Sequence, residues 1–85
     1  MSDAQAQKFN GVFIQHVRNA EPWAEIHSEH ADMSSMRNLG FSLGKIEGIV
    51  AAWCHLGHSY RDLDEGSRIS YERMYAIWDE ADTLK

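Results

Sequence analysis

A chain of 85 residues, 44% hydrophobic and 25% charged, is long enough for one domain over 1–85 and too short for two, and it excludes disordered, collagen-like and low-complexity structure. Its net charge of −5 opposes nonspecific binding to a phosphate backbone, which needs clustered Lys and Arg, so no direct nucleic-acid contact is expected. The longest apolar run, Ile49 to Cys54, is far short of the roughly 20 residues that span a bilayer, and no membrane contact is expected either.

Met1, Ser2 and Asp3 lack the basic and apolar regions of a signal peptide. Cys54 is the one cysteine, whereas small secreted domains usually carry several bridges. A cytoplasmic location is the expectation. Neither a Walker-type nor a GxGxxG spacing occurs, so no phosphate loop is expected.

Charge is uneven along the chain. Residues 21–32 carry Glu21, Glu25, Glu29 and Asp32 with no Lys or Arg, and residues 62–85 carry seven acids against Arg68, Arg73 and Lys85. The stretches 1–20 and 33–61 are weakly basic.

Taken in chain order, Ser2 precedes a run in which Phe9, Val12, Phe13, His16, Val17 and Ala20 recur at spacings of three and four, the pattern of an amphipathic helix. Pro22 predicts its end, because proline cannot donate to the ladder and disfavours helical geometry in the residue before it. A short second helix is then expected from Pro22, with Glu21 near its positive end. It would put Trp23, Ile26, His27 and His30 on one face and Glu21, Glu25 and Glu29 on another.

Asp32, Ser34 and Ser35 are capping candidates for a long central helix. Met36, Leu39, Leu43, Ile46, Val50 and Trp53 form its heptad-like seam, and Gly57 marks its end. Asp62 with Glu65, or Ser67, would start a last helix with a seam of Ser70, Met74, Ile77, Ala81 and Leu84 and an aromatic stripe of Tyr71, Tyr75 and Trp78. The expected fold is all-α, a small bundle of three longer helices and one short one.

Gly40, Gly44, Gly48 and Ala52 follow one another at i, i+4 on the central helix. Each glycine costs about 1 kcal/mol against alanine in a helix interior, so a close contact should offset it. Packing within the chain, a homodimer seam and a ligand groove all satisfy that requirement.

The stripe of Glu21, Glu25 and Glu29 and the aromatics Tyr71, Tyr75 and Trp78 are the candidate binding residues, since aromatics dominate hot spots and carboxylates suit a basic protein surface. His27 and His30 at i, i+3, with Cys54 and His58 at i, i+4, form an alternative Cys-His₃ metal set suited to zinc. The ExxH spacing of di-iron bundles is absent. Cys54 and His55 point about 100° apart on a helix, so adjacency does not make them nucleophile and base. Cys54 borders the apolar seam and is expected to be buried and inert.

Trp53, Leu56, Gly57 and Tyr60 stand in the order W-x-x-L-G-x-x-Y, with Ala76 at a later small position. This resembles the first helix of a tetratricopeptide repeat over half of one repeat, while Ile69 and Arg73 depart from the pattern. The resemblance implies a peptide-binding groove and a chaperone or scaffold role. The leading expectation is a non-enzymatic binding module without cofactor or native metal, an adaptor or stoichiometric inhibitor of a basic protein, and a homodimer. A phage- or mobile-element-encoded inhibitor of a nucleic-acid-handling complex is its concrete version.

Overall fold

The computed structural model describes residues 3–29 and 32–83. Three α-helices, α1 (Asp3–Glu29), α2 (Met33–His55) and α3 (Glu65–Thr83), surround one core, and a 3₁₀ turn at Tyr60–Asp62 joins the last two. No strand occurs among the described residues. Phe9 meets Trp53 and His27 meets Ser35, so α1 and α2 run antiparallel. Phe13 meets Tyr71, and Asn10 accepts a hydrogen bond from the Asp64 N–H at 2.9 Å, so α3 returns parallel to α1. The body measures 43 × 20 × 18 Å and exposes 5741 Å², against about 5,100 Å² expected of a compact chain of this mass.

The first difference from the sequence pattern lies at Pro22, which sits inside α1 rather than at a helix boundary. Phe13, Val17, Ala20, Ala24 and His27 are all buried, and their alternation of four and three residues is a single stripe running through the proline. An interior proline costs roughly 3 kcal/mol, and ending the helix there would forfeit the burial of Ala24 and His27 and the partial cover of Trp23. The continuous stripe wins. Pro22 itself faces solvent, and the expected short second helix is the last two turns of α1. Glu21 therefore lies mid-helix and gains nothing from a helix N-terminus.

Helix α2 begins where the sequence indicates. Asp32 is its N-cap, accepting from the Ser35 N–H at 2.6 Å, and Leu39, Leu43, Ile46 and Trp53 are buried along its seam. It ends in a Schellman motif: the His58 N–H donates to the Trp53 carbonyl and the Gly57 N–H to the Cys54 carbonyl, with Gly57 at φ +94°. That left-handed geometry favours glycine. It also separates Trp53 and Leu56 from Tyr60, which opens the 3₁₀ turn, so the tetratricopeptide-like order does not lie on one helix.

The cap of α3 is Asp64 rather than Asp62 or Ser67. Its carboxylate accepts from the Ser67 N–H at 3.0 Å and its carbonyl from the Arg68 N–H at 2.9 Å. The Arg68 Nε–H in turn donates to the Leu63 carbonyl at 3.0 Å, which ties the entry loop to the helix. Leu63, Ser67 and Met74 are buried, with Ser70 and Ile77 partly covered. Ser2, His30 and Leu84 lie outside the described residues, as does the side chain of Ala81.

Hydrogen bonding from Ser67 holds the Asp64 carboxyl below its ordinary value of 3.8. A carboxyl whose folded value is depressed stabilises the fold above its unfolded value and loses that contribution as pH falls through the folded value. Asp64→Asn keeps a capping side chain but cannot titrate. Thermal melts between pH 5 and pH 2 should show a shallower acid decline for Asp64→Asn than for the wild type; parallel curves would remove Asp64 from the acid response.

Candidate functional site

Two surfaces emerge once the side chains are placed, and the histidines of the described residues do not gather at either. On the flank between α2 and α3, Gly40 is the glycine that works within the chain. A Cβ there would stand 2.9 Å from Trp78 Nε1, closer than van der Waals contact allows, so the absence of a side chain lets the indole lie on α2. Beside it opens a cleft of about 400 Å³ lined by Met33, Met36, Arg37, Gly40, Phe41 and Trp78. Met33 is 68% and Phe41 70% exposed.

The aromatic stripe divides over this flank. Tyr71 and Trp78 are half-buried against the core, and Tyr75 is exposed. The three rings form an edge-to-face chain, Tyr71 to Tyr75 and Tyr75 to Trp78 both at 6.1 Å, with Tyr71 also edge-on to Phe13 at 6.5 Å. Burial, with the Glu47 carboxylate next in importance, pushes the Tyr71 hydroxyl up to about 12. Glu47 and Glu72 line a groove with Tyr71 and Tyr75, and Asp79 and Glu80 are exposed one turn further on.

Glu21, Glu25 and Glu29 are exposed on α1. Glu21 and Glu25 share a groove with Ser70, Arg73 and Ile77, which places them on the side of α3 opposite Tyr71 and Tyr75. The six candidate binding residues therefore do not converge on one site. Like-charged residues at i, i+4 repel by a few tenths of a kcal/mol per pair, so Glu25→Gln/Glu29→Gln should melt at the same temperature as the wild type or slightly higher. A marked fall in melting temperature would show that the carboxylates are held by the fold.

The histidines are dispersed. His27 is buried with Nδ1 3.4 Å from the Ser35 hydroxyl oxygen. His58 stacks on Trp53 at 4.1 Å. Ser35 and Cys54 are nineteen residues apart on α2, about 28 Å at 1.5 Å per residue, so the fold does not bring His27 together with Cys54 and His58. Among the described residues no three His, Cys, Asp or Glu side chains group for a metal; His30 lies outside them. Cys54 is exposed rather than buried, because its neighbour Trp53 takes the inward position at the end of the seam. The Tyr60 hydroxyl is buried without a hydrogen-bond partner among the described residues.

The second surface is the outer side of the α1–α2 pair, which the glycine spacing marked only in part. Gly44 and Gly48 have nothing within 4 Å of an added Cβ, so neither is a packing position within the chain. Gly48 and Ala52 instead floor a groove of about 500 Å³ with Phe9, Val12, His16 and Ile49, and the wall continues to Lys8 and Leu56. Phe41 stands on the ridge between this surface and the cleft, with Lys45 Nζ 5.7 Å from its ring. No helix among the described residues is long and apolar enough to cross a membrane. Comparison with protein-family models, with curated proteins and with solved structures finds no match to this chain.

Proposed function

We propose that the protein is a binding module, not an enzyme, whose α2–α3 flank engages a basic surface on a protein partner as an adaptor or stoichiometric inhibitor. One observation carries this reading: the exposed Met33 and Phe41 and the half-covered Trp78 line an open cleft, and Tyr75, whose ring meets Trp78 edge to face at 6.1 Å, lines an adjoining groove with the carboxylates Glu47 and Glu72. Aromatic, Met and Arg side chains are the types enriched at interface centres, and the carboxylates add electrostatic steering toward Lys and Arg. The size and charge of the chain agree with an inhibitor of a nucleic-acid-handling complex of phage or mobile-element origin.

An array of 15-residue peptides in which Lys and Arg flank Leu, Phe or Trp provides the probe. Binding should perturb the backbone resonances of Met33, Tyr75 and Trp78, weaken as salt rises, and fall at least tenfold in Tyr75→Ala. Perturbations confined to other faces, or equal binding of acidic control peptides, would overturn the assignment.

A further inference from the structure

We infer that the groove between Glu47 of α2 and Glu72 of α3 is the subsite for one lysine side chain of the protein partner, its ammonium held by the two carboxylates beside Tyr71 and Tyr75. The subsite belongs to the α2–α3 flank and rests on the reading of that flank as a surface for a basic partner.

Charge is the first support. Glu47, Tyr71, Glu72, Tyr75 and Ala76 line a groove of about 370 Å³, with one carboxylate supplied by each helix and no Lys, Arg or His in the lining. Among the described residues no ion pair engages either glutamate. Arg68 stands four residues before Glu72, the spacing at which a helical pair can form, but it is turned elsewhere. Its Nε–H donates to the Leu63 carbonyl at 3.0 Å, and its guanidinium lies 5.7 Å from the Tyr60 ring. Two negative charges from different elements thus share one groove, and the complement to them is a cation from outside the chain.

The rings and the placement of the carboxylates select the kind of cation. Tyr71 and Tyr75 stand 6.1 Å apart with their planes at 79°, so they form two walls that meet at an angle, and a cation within about 6 Å of a ring centroid is attracted to its face. Burial, with Glu47 next, pushes the Tyr71 hydroxyl up to about 12. It stays a neutral phenol, and the negative charge of the groove resides on the glutamates. An ammonium is a compact charge with three donors that can meet carboxylates on two sides at once, whereas a guanidinium holds its donors in one plane and pairs best with a single carboxylate. Trp78, 6.1 Å from Tyr75, carries the surface on into the cleft of Met33 and Phe41, which gives an apolar side chain near the lysine its own place.

The tightest-binding 15-residue peptide of the basic array is the probe. Its lysines are replaced one at a time by Nε-acetyllysine and by arginine, and each form is titrated at low salt against the wild type and against Glu47→Gln/Glu72→Gln. At one lysine, acetylation should weaken binding to the wild type about tenfold and arginine should weaken it less, while neither change should matter to the Gln variant. Glu25→Gln/Glu29→Gln removes the same charge from α1 and should keep the wild-type response to acetylation. All four carboxylates are exposed, so the circular dichroism of both variants should match the wild type. A peptide that binds through Tyr75 but loses as much on acetylation with Glu47→Gln/Glu72→Gln as with the wild type would overturn the lysine subsite and leave the binding role of the flank standing. Arginine forms that bind as tightly as lysine at that position would overturn the choice of an ammonium. An array in which no peptide perturbs Met33, Tyr75 or Trp78 would overturn both the subsite and the reading of the flank.

Discussion

Trp53→Ala is expected to destabilise the fold by about 3 to 5 kcal/mol, the range for truncating a buried aromatic, and so to remove much of the stability of a domain this small. Trp53 is 3% exposed and stands at the junction of three elements. Its ring lies 5.2 Å from Phe9 of α1 and stacks on His58 of the following loop at 4.1 Å, and its Nε1–H donates to the Ser59 carbonyl at 2.7 Å. Truncation would open a cavity between α1 and α2 and also release the loop that leads to the 3₁₀ turn. Urea unfolding followed by circular dichroism measures the loss, with Trp23→Ala as a half-buried comparison. A difference from wild type under 1 kcal/mol would mean that the Trp53 contacts do not hold the two helices together.

Gly40→Leu and Gly44→Ala should move stability in opposite directions although both glycines lie on the same helix one turn apart. At Gly40 the first added carbon already meets the Trp78 indole at 2.9 Å, so leucine must displace the ring from α2. Overpacking of this kind costs about 1 to 3 kcal/mol. At Gly44 nothing lies within 4 Å, and alanine restores helix propensity worth about 0.5 to 1 kcal/mol. Thermal melts of both variants at the same protein concentration measure the two effects. Equal destabilisation by both substitutions would mean that Gly44 is packed within the chain after all.

These two glycines also show where sequence patterning stops being informative. An i, i+4 row of small residues states that something can approach closely, but the approach is made by one indole from a helix some 38 residues later, and local spacing carries no record of such a contact. The α2 seam was legible because heptad spacing and burial have the same cause, and Leu39, Leu43, Ile46 and Trp53 are buried as the pattern requires. Asp32 and Gly57 were legible because a cap and a left-handed turn are local chemistry.

Pro22 misled because its cost is local while the stripe from Phe13 to His27 that outweighs it is tertiary. The aromatics of α3 were legible as a stripe but not in their division: Trp78 is covered because α2 presents Gly40, and Tyr75 is exposed over the open groove that it lines with Glu47 and Glu72. Cys54 went the other way, since one residue at the edge of a seam is assigned inward or outward by whichever neighbour is larger.

The proline inside α1 bears on how this helix comes apart. Pro22 has no N–H to give the carbonyl four residues earlier, so the backbone ladder of α1 lacks a rung between its two halves. The first half is clasped by the Asn10–Asp64 hydrogen bond and the Phe13 and Tyr71 rings; the second holds through Ala24 and the His27–Ser35 contact. Hydrogen exchange of the α1 amides is therefore expected to resolve two opening units, one on each side of Pro22. Glu25 and Glu29 lie wholly in the second unit, so a load applied to them can unwind two turns of helix while the half that carries Phe13 and Val17 stays shut.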